Sequence, residues 1–227
     1  MSSTALPSTS IRSTSAGAEA ARYALLRRLA PSMRHHLVVN LQPIGMIYEV
    51  MDRRLRAAEV DVPAVQQSAQ KIQGFARAAL DSCTDVVSWI APDDRHLSTV
   101  HDGAKECASL LASSLGFRGY GLRSEIDALE GKVRRAAIRN VLSASLLHAT
   151  DELPPPAEIV LKAQAQGEGA WVDIELRPGT GDKGFAHEAG YRQISWSDVQ
   201  ALAEADGVEV MREGAERLRL MFPWVAA

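Results

Sequence analysis

Along residues 20–56 the large apolar side chains recur at steps of three and four: Leu26, Leu29, Met33, Leu37, Leu41, Ile44, Tyr48, Met51 and Leu55. That spacing holds one stripe along a helix and predicts a single long amphipathic α-helix. Pro43 falls inside it, and its missing N–H predicts a kink there. Residues 58–63 break the pattern, with Asp61 placed to cap a second helix and Pro63 in the first turn of that helix. Next, Val62, Val65, Ala69, Ile72, Ala76, Ala79, Cys83, Val86 and Ile90 alternate steps of three and four, a heptad-like seam. Two long helices joined by a short loop make an antiparallel hairpin. A lone hairpin buries one face only, so the pattern predicts a homodimer that completes a four-helix bundle.

Beyond a linker at residues 91–94 the texture becomes mixed. Helical spacing covers residues 98–115, ends at Gly116-Phe117-Arg118-Gly119-Tyr120-Gly121, and returns over 129–150 until three prolines stop it. Alternation then replaces the helical period, with Ile159, Leu161 and Ala163 followed by Val172, Ile174 and Leu176 across Gly167-Glu168-Gly169. A short helix over 197–205 leads to a second hairpin, 208–212 and 217–222, turning at Glu213-Gly214-Ala215. This half reads as an α/β sandwich with helices on one face of a mixed sheet. The fold class is thus α + α/β in three segments. Residues 1–18 form a Ser/Thr/Ala-rich tail without the apolar residues to order it, 19–92 the hairpin, and 97–227 the sandwich.

Composition narrows the function. With 25 Lys+Arg against 28 Asp+Glu the net charge is −3, which gives no general pull toward nucleic acid or an anionic membrane. Two cysteines, Cys83 and Cys107, are too few for a disulfide framework or a four-thiolate zinc site. No apolar run approaches the roughly 20 residues that span a bilayer, and the first residues lack the form of a signal peptide. A cytoplasmic location is expected. His96 and His101 with Asp93, Asp94 and Asp102 read as loop composition, so no metal is expected. Residues 179–184 lack the Gly-Lys-Ser/Thr ending of a phosphate loop.

The adjacent histidines of the first helix are separated by helix geometry. His35 lies about 180° from Ile44 and faces away from the stripe, whereas His36 lies within about 20° of Leu29 and Ile47 and faces the seam. Surface decoration would account for His35. An exposed imidazole beside Arg34 on a dimeric hairpin equally suits nucleophilic phosphoryl acceptance. Arg22, Arg27, Arg28 and Arg34 give the same helix a basic side that suits either plain solvation or an acidic partner.

The stretch Met33-Arg34-His35-His36-Leu37-Val38-Val39-Asn40-Leu41-Gln42-Pro43-Ile44 resembles the H box of sensor histidine kinases. Leu37, Leu41 and Ile44 fill the apolar slots that come after the phosphorylated histidine when His35 takes that place. Residues 138–149 (Ile138-Arg139-Asn140-Val141-Leu142-Ser143-Ala144-Ser145-Leu146-Leu147-His148-Ala149) resemble the N box of the same family's ATP-binding domain. Arg177-Pro178-Gly179-Thr180-Gly181 resembles its DxGxG adenine box, and residues 202–223 its closing helix–strand–strand run.

The resemblance implies a phosphoacceptor hairpin followed by a degenerate ATP-binding domain. In the family the N-box asparagines help hold Mg²⁺ and nucleotide; their slots here are Ala144 and His148, and imidazole is a poor ligand for a hard cation. The adenine-binding aspartate is replaced by Arg177, which offers only donors to an amine that also donates. Gly179 and Gly181 remain, but glycines alone specify a turn. The acid that comes after the acceptor in the family is here His36, and the position four residues on, which in related kinases positions water, is Val39. These departures imply no ATP and no other cofactor. The function implied is a histidine phosphotransferase in which His35 exchanges phosphoryl groups with response-regulator receiver domains, with Arg34 and Val38 touching the partner. The alternative is a non-catalytic adaptor that holds a histidine kinase or regulator by binding.

Overall fold

The computed structural model describes residues 15–93, 95–180, 182–185, 191–214 and 216–226. Helix α1 (Ala16–Leu55) begins where the Ser15 hydroxyl accepts a bond from the Ala18 N–H, and it runs through both Pro31 and Pro43. Residues 16–18, expected in the tail, are therefore helical, because Ala18 is fully buried and Ser15 satisfies the first turn. Residues 1–14 lie outside the described residues. Helix α2 (Val62–Ile90) starts as its sequence suggests, with the Asp61 carboxylate accepting from the Ala64 N–H and Pro63 in the first turn. The two helices are antiparallel: Arg54 reaches Ala64 and Ser68 near the loop, and Asn40 reaches Ser82 further along.

The second half contains β1 (Leu97–Ser98), α3 (Val100–Phe117), β2 (Tyr120–Ser124), β3 (Val133–Arg134), α4 (Arg135–Glu152), β4 (Ala157–Gln166) and β5 (Gly169–Pro178). It closes with α5 (Trp196–Asp206), β6 (Glu209–Glu213) and β7 (Arg217–Pro223). The main sheet has the order β2-β4-β5-β7-β6, parallel only between β2 and β4. Its inner face, with Ile159, Leu161, Val172, Ile174, Leu176, Leu220 and Phe222, packs under α3, α4 and α5. Its outer face carries ion pairs, among them Glu175 with Lys162 and Arg177, and Asp173 with Arg217 and Arg219.

Two elements differ from expectation for identifiable reasons. Helix α4 begins at Arg135 instead of 129 because Gly131 takes a positive φ of 112° directly beneath Trp224, where a Cβ would lie 2.7 Å from the ring. Strand β2 escapes a pattern search because it is a short edge strand, mostly exposed beyond Tyr120.

The hairpin and the sandwich share one core. Ala21, Ala24, Leu25, Leu29 and Met33 of α1 belong to the same apolar cluster as Val141, Leu142 and Leu146 of α4. As a result every residue of α4 from Ala136 to Thr150 is buried, including Arg139, Asn140, Ser143, Ser145 and His148.

Two ion clusters, each centred on one buried charged side chain, hold the layers in register. Asp151 accepts both guanidinium nitrogens of Arg28 from α1, at 2.6 and 2.7 Å, a third bond from Arg118 after α3, and the Ile194 N–H. Arg139 of α4 donates to Glu106 of α3 and to Asp85 and Ser88 of α2, and lies 4.5 Å over the Trp89 ring. Removing either partner of the buried Arg28–Asp151 pair leaves an uncompensated charge, at a cost of about 3–5 kcal/mol.

The start of α5 predicts a pH dependence. Asp198 closes a capping box with Ser195 and accepts two bonds from Arg192, which, with the Ser195 bonds, hold its carboxyl at about 2, below its ordinary 3.8. A lowered carboxyl stabilises the fold above its unfolded value and loses that contribution as pH falls toward the folded one. Asp198→Asn is expected to lose about 2 kcal/mol of unfolding free energy at pH 7, with the difference from wild type closing between about pH 4 and pH 2. Urea titrations across that range measure it.

Candidate functional site

His35 and His36 diverge as helix geometry requires. His36 is half-buried between α1 and α2 beside a cavity lined by Asp81, Ser82, Asp85 and Trp89. Asn40, one turn on, ties that region by donating to the His36 carbonyl and to Ser82. His35 is exposed on the other side, at the rim of a cleft of about 280 Å³ between α1 and the end of α3. His36 reaches this cleft as well, and Pro31, Ser32, Leu110, Ser113, Ser114, Phe117, Arg118 and Phe185 complete the lining, so no carboxylate stands among its described residues. Arg34 and Val38 flank His35 and are exposed.

The heptad-like seam of α2 divides in two. Val65, Ile72, Ala79 and Val86 turn toward α1, while Val62, Ala69, Ala76, Cys83 and Ile90 are exposed, joined by Leu80 and Val87. On α1 a matching exposed stripe runs Leu41, Tyr48, Leu55. Each stripe lies about 80–90° around its helix from the surface facing the other helix. Because the helices are antiparallel, the same sense of rotation turns both stripes to one side of the hairpin. His35 lies about 140° in the opposite sense. The uncovered apolar face and the exposed imidazole are thus on different sides.

The positions that resemble a nucleotide site are occupied from within. Asn140, Ala144 and His148 form one stripe along α4, directed at α5 and the segment before it. Asn140 donates to Asp206 at 2.9 Å. One ring nitrogen of His148 lies 2.9 Å from the Ile194 carbonyl, which only a donor satisfies, and the ring packs against Trp196. Both backbone groups of Ile194 are therefore taken by α4 and its end: its carbonyl by His148, its N–H by Asp151. Arg177 does not join this stripe. It projects from the outer face of the sheet, held by Glu175 at 2.6 Å, so the sheet stands between it and α4. Gly179 is tucked against Pro156 and Ala157, where an added Cβ would lie 3.3 Å from backbone, and Gly181 lies outside the described residues.

Other reactive groups are accounted for. Burial pushes the Cys107 thiol up to about 12, which keeps it protonated. His101 bonds the Ile126 carbonyl. Among the described residues no group of three or more His, Cys, Asp or Glu is set to hold a metal ion, and no helix is long and apolar enough to cross a membrane. Pattern reading missed Asp151, Ile194, Phe117 and Phe185, whose roles depend on contacts between distant segments. The one available signal was that two of only four phenylalanines sit next to glycine in breaks between elements.

No family model and no curated protein matches the chain. Among solved structures it is similar to the catalytic domain of histidine kinase ThkA in a nucleotide-free form, at 12% identity over 57% of this chain and 95% of that one, with a TM-score of 0.45. It is similar to the Acinetobacter baumannii histidine kinase AdeS at 11% identity over 80% and 97%, TM-score 0.44. A bacterial phosphotransferase is similar at 14% identity over 87% and 95%, TM-score 0.41. All three scores are below 0.5, and none of these likenesses assigns an activity to this chain.

The internal filling of the α4 stripe predicts that installing the residue types of the boxes it resembles does not create a ligand site. His148→Asn combined with Arg177→Asp is expected to show no thermal stabilisation by millimolar ATP with Mg²⁺. A ligand that bound the native state would raise the melting temperature with the logarithm of its concentration over Kd once in excess. Such a rise would mean that the slot opens readily.

Proposed function

We propose that this chain is a histidine phosphotransferase of two-component signalling, a cytoplasmic relay that exchanges phosphoryl groups with receiver domains and does not use ATP. The observation that supports this most is the placement of His35. It is an open imidazole at a cleft, with no carboxylate among the described lining residues to act as the base of a self-phosphorylating kinase. A relay needs only the nucleophile, because the partner brings the activated phosphoryl group. In the step proposed, a ring-nitrogen lone pair of His35 attacks the phosphorus of an aspartyl phosphate. The N–P bond forms as the carboxyl O–P bond breaks, the aspartate leaves as carboxylate, and the ring's remaining N–H proton can pass to solvent. The reverse step returns the group to another receiver. Mg²⁺ and the acceptor aspartate belong to the partner.

The working unit proposed is a homodimer. The exposed stripes Leu41-Tyr48-Leu55 and Leu80-Val87-Ile90 lie on one side of the hairpin, and two copies packed on that side would complete a four-helix bundle. His35 would remain outside it. The hairpin, residues 19–92, would serve dimerisation and transfer, and residues 97–227 would serve as a docking body in which Ala144, His148, Arg177, Gly179 and Gly181 are relics of a nucleotide site.

Two measurements test this. Light scattering should give twice the chain mass for wild type and a lower mass for Leu80→Glu with Val87→Glu; a monomeric wild type refutes the bundle. Receiver domains charged with labelled phosphate should label wild type and His36→Ala but not His35→Ala. Label lost in His36→Ala and kept in His35→Ala would move the acceptor, and receiver binding without label in any variant would favour an adaptor that works by binding alone.

A further inference from the structure

Two of the chain's four phenylalanines stand in the open beside the proposed acceptor: Phe117 is 69% and Phe185 77% exposed, and both line the cleft that His35 borders. Their positions are built. Gly119 and Gly184 both take positive φ and pack backbone to backbone; a Cβ on Gly184 would lie 2.4 Å from the Gly119 nitrogen, and one on Gly119 2.9 Å from the Lys183 carbonyl. The Phe185 N–H then bonds the Phe117 carbonyl at 2.9 Å. Contacts this close, possible only without side chains, hold the backbones that carry the two rings together at the end of α3. Two exposed aromatic rings on a backbone held in place are the chemistry of an interface anchor, since burying such rings strengthens association and a preset backbone lowers its entropic cost.

The surroundings state the charge of the partner. Phe185 and Arg118 also border a larger cavity of about 690 Å³ that contains Arg28 and Lys183. Its two carboxylates are already engaged, Asp151 by Arg28 and Arg118, and Glu152 by Arg212. Lys183 makes no ion pair among the described residues, and Arg34 is exposed on the other side of His35. We propose that Phe117 and Phe185 form a clamp, flanked by Lys183 and Arg34, that docks an acidic receiver domain by an apolar side chain exposed near its phosphorylated aspartate. The clamp seats that aspartate within reach of His35. This rests on the phosphotransferase reading and adds to it the surface that selects the partner.

The experiment uses the full chain and a panel of receiver domains charged with acetyl phosphate. With any receiver that labels wild type, Phe117→Ser with Phe185→Ser should raise KM for transfer about tenfold or more with the saturating rate little changed. Lys183→Glu should raise KM and flatten its dependence on salt. Met211→Ser, an exposed apolar residue on β6 remote from His35, should leave both constants as they were. Melting temperatures check that each variant is folded, and because the rings are exposed their loss should leave them near wild type. Labelling with an unchanged KM in the phenylalanine variant overturns the clamp and leaves the phosphotransferase reading standing. Failure of every receiver to label wild type overturns the reading, and the clamp with it.

Discussion

One buried carboxylate determines how the two halves of this molecule sit together. Asp151 ends the central helix and receives four bonds, two from Arg28 of α1, one from Arg118 after α3, and one from the backbone of Ile194. A buried charge tolerates no partial solution. If α1 withdrew, Asp151 would keep a single weaker guanidinium partner, and Arg28 would lose its carboxylate. The cluster therefore acts as a geometric condition: α1, α3, α4 and the 191–196 segment must all be in place at once. Its net contribution to stability is modest, since desolvation offsets most of the attraction. What it fixes is the arrangement.

That arrangement explains why α4 has no open face. The apolar work is done by small and medium side chains, Ala21, Ala24, Leu25 and Leu29, which bring α1 close over the helix layer. On the α5 side Asn140 and His148 are hydrogen-bonded to Asp206 and to the Ile194 carbonyl, and Ala144 lies buried between them. Asn140 and His148 sit buried in this helix with an internal partner each, as burial of such groups demands, whereas the small hydroxyls of Ser143 and Ser145 are buried without one. Such a helix is a structural pillar. A histidine at position 148 suits that role, for an imidazole reaches a carbonyl and packs against Trp196 in one conformation.

Much of the fold is written in local pattern. The hairpin spacing, the Asp61 cap, the β4–β5 alternation and the terminal hairpin are set by residues near one another in sequence, so their periods announce them. Short or exposed elements such as β2 carry too few apolar positions to do so, and the start of α4 depends on Gly131 meeting Trp224 from the far end of the chain. The candidate site divides the same way. The exposure of His35 follows from its angle on one helix. Arg177 illustrates the limit: a motif aligned it with an adenine-binding position, but strand alternation from buried Leu176 puts it on the outer face, paired with Glu175. That alternation was readable, and it outweighs the motif because side-chain direction in a strand admits no exception without a bulge.

The closure of α4 and the exposure of the phenylalanines are linked. A domain that bound and released a nucleotide would need its covering loop to move, and any surface built on that loop would move with it. Here the covering chain is held at Ile194 by α4, and at Phe185 by the paired glycines against the end of α3. The surface beside His35 is therefore built on held backbone, and the Arg28–Asp151 pair ties the helix that carries His35 to the same body. A nucleophile that relays a group between partners needs orientation more than it needs further chemistry, because holding the reacting atoms in line can supply a large part of the barrier lowering. On that argument the second half contributes by standing still.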